Sequence, residues 1–387
     1  MIASAQRMQV LTPHFFSTLG PRIAALNAAG ADVIRLDEGS PDLPPARFIV
    51  DALAEAAARP EAHSYQPHRG SHELRAAWAD MYRRLYGVEL DPGSEVIPLL
   101  GSKEGIFHLL QALINPGDLA LVPDPGYITY RRGVEFSGGE VFFFPLLPEL
   151  GYLPDLVVIP PEIARRARLM FLNYPNNPTS GVASLEFFTQ AIDFAREYDV
   201  LLCHDAAYAQ VTFGGYQAPS ILQTPGAKEV AVEFNTLSKS HNMAGWRVGA
   251  ALGQAEALKA LFTLKTNADS GHFYPILHAA TVAMTGDQTW LVERNEVYRQ
   301  RIQVITSALN KLGLKAAIPR GSLYVWSPIP SGWSANVFVA AALEQAHVSL
   351  TPGTLFGQRG EGYIRISITA PLERIEEAME RIGKFVA

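Results

Sequence analysis

"EVIPLLGSKEGIFHLLQALI", residues 95–114, passes from a short apolar run through a glycine into a segment where Ile106, Leu109, Leu110 and Leu113 recur at helical spacing. A strand feeding a helix is the repeating unit of an α/β fold, and the chain goes on repeating it. "LALVP" (119–123) leads into "DPGYITYRRGVEF" (124–136) and then "EVFFFPL" (140–146). "RLMFLNYP" (168–175) is followed by a helical pattern over 184–198 and the run "VLLCHD" (200–205). "VAVEFNTLS" (230–238) and "RVGAALG" (247–253) complete seven apolar runs. They predict a large domain over residues 46–275, built on a mostly parallel seven-stranded sheet flanked by helices.

The tail differs in texture. Residues 289–313 read as one long amphipathic helix, followed by "SLYVWSPI", a helix over 335–346, "YIRISIT" and a last helix over 371–385. That predicts a smaller α+β domain over 276–387, with the segment 1–45 packing near it. No flexible linker marks the boundary at 275.

Composition narrows the function classes. With 48% hydrophobic and 18% charged residues over 387 positions, the chain is too apolar for disorder and long enough for two domains. A net charge of -6 gives no basic footprint for nucleic acid. Cys203 is the single cysteine, which excludes an internal disulfide and any cysteine-based zinc site. No apolar run approaches a membrane span, since "VFFFPLL" is broken by Pro145, and the start shows no secretory pattern. The expected setting is the cytoplasm, with small-molecule substrates.

Polar residues stand at several strand ends, where an open α/β sheet places its ligand. "GSKEG" (101–105) offers Ser102 and Lys103 at a helix N-terminus, either as an anion cradle or as an ordinary serine cap. It lacks the ending of a nucleotide triphosphate loop. "NYPNNPTSG" (173–181) is a proline-bounded turn or a means of presenting Asn177. Asp205 ends a strand with Tyr208 three residues on, and could cap the next element or do chemistry. His204 reads as a packed histidine, because no second histidine shares its spacing. In "NTLSKSHNMAGWRVG" (235–249), Lys239 lies between two serines and Arg247 follows among glycines. Arg365 sits in an apolar strand, where a buried guanidinium needs an anion.

In order and chemistry together, these segments resemble the pyridoxal-phosphate-dependent aminotransferases of fold type I, class I/II. The resemblance runs from "GSPDLP" at 39–44 to "GYIRIS" at 362–367, with "SKSHNMAGWRVG" its most specific part. "NNPTSG" carries an inserted serine against the commoner Asn-Pro-Thr-Gly. The resemblance implies that Lys239 forms a Schiff base with the cofactor aldehyde and later moves the Cα proton. It implies that Arg247, Ser238, Ser102 and the Lys103 backbone hold the cofactor phosphate. Asp205 would pair with the pyridinium nitrogen, and Tyr208 and Asn177 would bond the phenolic oxygen. Tyr127 would stack on the ring or serve as a core tyrosine. Arg365 would clamp the substrate carboxylate with help from Asn177 and the Gly39 backbone. Tyr65, in "HSYQPHRG", would cross a homodimer interface to the partner's phosphate, and Ser270 or His272 would reach the same partner site.

"DLPPARFIV", "GSKEG" and "KTNADSGHF" further resemble a bacterial diaminopimelate-aminotransferase-like subgroup, with Ala268 in place of its leucine. Diaminopimelate or its N-succinyl derivative is the expected donor, with aspartate, alanine, glutamine and aromatic amino acids as alternatives. The same scaffold also supports carbon–sulfur β-elimination. A regulator's effector domain is disfavoured, because its N-terminal winged helix has no room before residue 40.

Overall fold

The computed structural model describes residues 3–11 and 15–386; residues 1–2 and 12–14 of the expected N-terminal arm lie outside them. Among the described residues the strands are β1 (Ile34–Arg35), β2 (Val96–Leu99), β3 (Leu119–Asp124), β4 (Glu140–Pro145), β5 (Ala167–Asn173) and β6 (Leu201–Asp205). They continue with β7 (Ala231–Thr236), β8 (Gly249–Gly253), β9 (Tyr324–Pro328), β10 (Val348–Ser349), β11 (Thr351–Pro352) and β12 (Tyr363–Ser367).

Seven of them form one sheet in the order β2-β8-β7-β6-β5-β3-β4. Only β8 runs against its neighbours, pairing antiparallel with both β2 and β7. The consequence is functional: the amino end of β8, just after Arg247, lies at the edge where the other strands have their carboxyl ends. Residues along each strand alternate between two cores. Met170 and Leu172 face one side with Leu202 and Trp78, while Leu169 and Phe171 face the other with Cys203, Val232 and Phe234. Burial on both faces explains the near-continuous apolar runs. The edge strand β4 is more exposed.

The helices are placed by local signals. Ser184 caps Leu185–Tyr198 by accepting from the Phe187 N–H, and the helix ends at left-handed Asp199. Gly87, with φ 66°, ends His72–Tyr86 in the same way.

A second, smaller sheet has the order β11-β12-β9, all antiparallel, and β1 pairs in parallel with β10. The N-terminal segment enters this smaller unit directly: Ile34 and Leu36 share its core with Tyr298, Ile302, Val325, Phe338 and Ile366. Tyr208, Val211 and Phe213, from the loop after β6, pack into the same core. A cut at 275 separates the helix Tyr274–Thr285 from its packing partners. Its Leu277, Ala280, Ala283 and Met284 lie in the large core with Ile49 and Leu74. The change of unit comes within the next helix, Trp290–Lys311, where Trp290 packs on the large core and Tyr298, Ile305 and Leu309 on the small one. A continuous helix leaves no linker signal, which is why the sequence places the boundary one helix early.

Candidate active site

Strand ends and the small unit together enclose a cleft of about 380 Å³. The register sets Asn173, at the end of β5, beside Asp205, at the end of β6. Asn173 ties the two ends together: its Nδ2 donates to the Asp205 carbonyl at 2.6 Å and its Oδ1 accepts from the Asn177 N–H at 2.7 Å. Asp205 is buried, and burial pushes its carboxyl above the usual range against the pull of the Tyr130 hydroxyl. That hydroxyl donates to Oδ2 at 2.8 Å, and the Ala207 N–H reaches Oδ1 at 3.3 Å. Asp205 thus supports the following turn and also lines the cleft.

Lys239 follows β7 in the single turn Leu237–Ser240, capped by Thr236. Its Nζ donates to the Gly39 carbonyl at 2.6 Å. Burial, seconded by the nearby Arg247 and Arg365 charges, lowers the ammonium to about 8 despite Asp205. This is the direction needed for a nucleophilic amine near neutral pH. The turn is held from below by buried Arg294, which donates to the Lys239 carbonyl at 3.0 Å, the Gln210 carbonyl at 2.9 Å and the Ser240 carbonyl.

Arg365 points into the cleft from β12 and is only 4% exposed. Its Nη1 donates to Asn177 Oδ1 at 3.0 Å, and its Nη2 to the Asp37 carbonyl at 2.7 Å and Thr351 Oγ1 at 3.4 Å. Its Nε has no partner among the described residues. The rings of Tyr324 and Phe356 lie 4.1 and 4.8 Å from the guanidinium carbon. All these oxygens are neutral, so a buried cation without an acidic partner among the described residues lines the cleft and calls for an anionic guest.

A second anion position lies at the helix Ser102–Leu113. Gly101, at φ 84°, is its cap, so Ser102 is the first helical residue and not the cap considered from sequence. Arg247 sits in the left-handed region with φ 58°, and its guanidinium meets Ser238 Oγ at 3.5 Å, the Ala244 carbonyl at 2.7 Å and the Leu100 carbonyl at 3.5 Å. Glycine is required on both sides. A Cβ on Gly101 would lie 2.3 Å from Arg247 Nη2, and one on Gly249 would lie 2.9 Å from the Ser102 nitrogen. Helix N–H groups, a guanidinium and two hydroxyls around a space kept open by glycines suit a phosphate.

A tempered amine, a buried carboxylate and two separate anion seats around one cleft are the requirements of amino-group transfer on a phosphorylated aldehyde. Residues 31–382 match the aminotransferase class I and II family. The chain belongs to that family. It is 48% identical to an LL-diaminopimelate aminotransferase of Moorella thermoacetica over 99% of this chain and 98% of that protein. It is similar to the substrate-bound BacF structure from Bacillus subtilis, with TM-score 0.96 and 38% identity over 99% of this chain and 98% of that one. It is also similar to the structure of a probable N-succinyldiaminopimelate aminotransferase from Thermus thermophilus, with TM-score 0.90 and 36% identity over 96% and 99% of the two chains.

The aminotransferase is thus a pyridoxal-phosphate-dependent enzyme of fold type I. Its cleft brings together Gly39, Ser102, Lys103, Tyr127, Asn177, Asp205, Tyr208, Ser238, Lys239, Arg247 and Arg365. Tyr65 is outside the cleft of its own chain and 93% exposed. Ser270 is exposed, whereas His272 turns inward and bonds the Arg247 carbonyl of its own chain at 2.7 Å. His204 is buried against Glu233, with Nδ1 2.9 Å from the carboxylate.

Sequence reasoning missed Tyr130, Asn173, Arg294 and Tyr324. Tyr324 lines the cleft and its hydroxyl lies 2.9 Å from that of Tyr208. The three-residue spacing of Tyr127 and Tyr130 at a helix start, and the asparagine ending "RLMFLN", were usable signals. Nothing local marks Tyr324 or Arg294. Among the described residues no helix is long and apolar enough to cross a membrane.

Proposed function

We propose that this aminotransferase works as a cytoplasmic homodimer and takes LL-diaminopimelate as amino donor, with a 2-oxo acid as acceptor. One structural observation supports the transfer chemistry: the buried Arg365 guanidinium, bonded only to neutral oxygens, lines the same cleft as the amine of Lys239. The guanidinium receives the α-carboxylate as a fork, and Asn177 Oδ1 keeps Nη1 oriented for it. Pyridoxal phosphate, when bound, supplies the electron sink for the Cα electron pair.

The remaining roles belong to this chain's own groups. Lys239 would hold the cofactor covalently and, once freed, would take and return the substrate Cα proton. Asp205 would pair with the cofactor's ring nitrogen, Tyr208 and Asn177 would bond its phenolic oxygen, and Tyr127 would pack against it. Ser102, Ser238, Arg247 and the Lys103 backbone hold the phosphate, and the exposed Tyr65 completes the partner's phosphate site.

The choice of LL-diaminopimelate rests on the 48% full-length identity to the Moorella thermoacetica enzyme of that specificity. Mixing the purified holoenzyme with single donors and following its visible colour tests it. LL-Diaminopimelate should bleach the cofactor band at lower concentration than N-succinyl-diaminopimelate, aspartate, alanine, glutamine or aromatic amino acids, and a 2-oxo acid should restore it. A better response to any of those donors overturns the substrate. Release of pyruvate, ammonia and a thiol from an added cysteine thioether, without acceptor, would assign carbon–sulfur β-elimination instead.

A further inference from the structure

Beside the phosphate seat lies a half-buried cluster that the chemistry above does not use. Lys265, 3% exposed near the end of the helix Ala255–Ala268, places its ammonium 3.3 Å from Glu104 and 2.7 Å from Asp269. His108 Nδ1 stands 2.6 Å from the same Glu104 carboxylate. Glu104, His108 and Asp269 converge closely enough to hold a metal ion, but the Lys265 ammonium already provides the cation.

Two paths run from this cluster to Arg247. Through Glu104, whose second oxygen accepts from the Leu100 N–H at 3.0 Å, it anchors the residue whose carbonyl, in the next peptide, accepts from Arg247 Nη2 at 3.5 Å. Through Asp269, it fixes the start of the segment that reaches His272, whose Nε2 donates to the Arg247 carbonyl at 2.7 Å. Arg247 is held at both its guanidinium and its backbone, in a left-handed conformation that L-residues disfavour.

We propose that Lys265, acting through Glu104, Asp269 and His272, is a positioning residue that aims Arg247 at the cofactor phosphate. This rests on the reading of Arg247 as a phosphate ligand. A loose guanidinium would still bear its charge but would lose the geometry of a charge-assisted pair.

The test compares two probes on apoenzyme: pyridoxal phosphate and pyridoxal, which lacks only the phosphate. The ratio of their dissociation constants isolates phosphate binding from covalent attachment at Lys239. Lys265→Met should lower the preference for the phosphorylated form about tenfold, with pyridoxal binding little changed. His272→Phe should act the same way, and His272→Gln, which keeps an N–H donor, should recover most of the preference. The histidine pair decides the matter if Lys265→Met does not fold. Equal losses for both probes would mean a merely structural role and overturn the proposal. Arg247→Met separates the two ideas. If it collapses the ratio while the Lys265 and His272 variants leave it intact, the positioning claim fails alone. If it leaves the ratio intact, the phosphate reading fails and takes the claim with it.

Discussion

Arg365 and Asn177 meet across the line between the two units, with Nη1 of the arginine donating to Oδ1 of the asparagine at 3.0 Å. The arginine comes from the small sheet and the asparagine from the loop after β5, so the contact, and the carboxylate seat proposed on it, exist only when the units are docked. The neighbouring Asp37 carbonyl and Thr351 hydroxyl are also neutral, so none of these partners balances the guanidinium charge.

Replacing Arg365 by Met removes the fork without changing the strand. Truncating one partner of a buried charged pair typically costs about 2–5 kcal/mol, so kcat/KM for any α-amino acid should fall by roughly thirtyfold to several thousandfold. The cofactor colour should persist. Unchanged kcat/KM in steady-state assays would refute the assignment.

Gly39 is a second steric requirement. An added Cβ would lie 1.8 Å from the Tyr324 hydroxyl, which cannot retreat freely because its ring packs under Arg365 and its oxygen meets Tyr208. Gly39→Ala should therefore displace Tyr324, costing about 1–3 kcal/mol of stability and raising KM. Thermal melting and initial rates check both. A variant with wild-type Tm and KM would show that Tyr324 has room the structure does not contain.

Lys239 among serines, Asp205 at a strand end and Arg365 in an apolar strand each admit a plain structural reading singly, and their order along the chain, through the family resemblance, is what picks them out. Tyr324 conflicts with nothing, since an aromatic in an alternating strand is what β-structure favours. Its role arises from the meeting of β9 with the turn after β6, more than a hundred residues earlier, as its contact with Tyr208 requires. The seven strands were legible because each is rich in apolar residues, and the boundary near 275 was not, because the helix Trp290–Lys311 runs unbroken from one core to the other.

Lys239 also gives a pH dependence of stability in the apoenzyme. Its folded value is lowered from 10.5 to about 8, chiefly by burial, so the native state disfavours the charged form. The sign follows: below about 8 the buried ammonium destabilises the fold in full, and raising the pH from 8 toward 10.5 relieves it, because the unfolded chain then holds the extra proton. Apo Lys239→Met should be more stable than wild type at pH 7, by at most about 3 kcal/mol. The difference should narrow steadily above pH 8. Denaturant titrations at several pH values measure it, and a gap that widens with pH would contradict the burial argument.

Tyr65 provides the test of the shared site. A tyrosine that is 93% exposed and outside its own cleft cannot act on the cofactor of its own chain without large movement. If it completes the partner's phosphate site, Tyr65→Ala and Lys239→Ala homodimers should each be impaired, for different reasons. In a hybrid dimer, the chain that keeps Lys239 receives an intact Tyr65 from the other chain, so one of the two sites is whole. Refolding equal amounts of the two variants together makes about half the dimers hybrid, and activity should rise to about a quarter of wild type. Separate refolding followed by mixing gives the baseline. Activity no higher than that baseline, with hybrids demonstrated by mass, would remove Tyr65 from the site and leave the phosphate to the groups of a single chain.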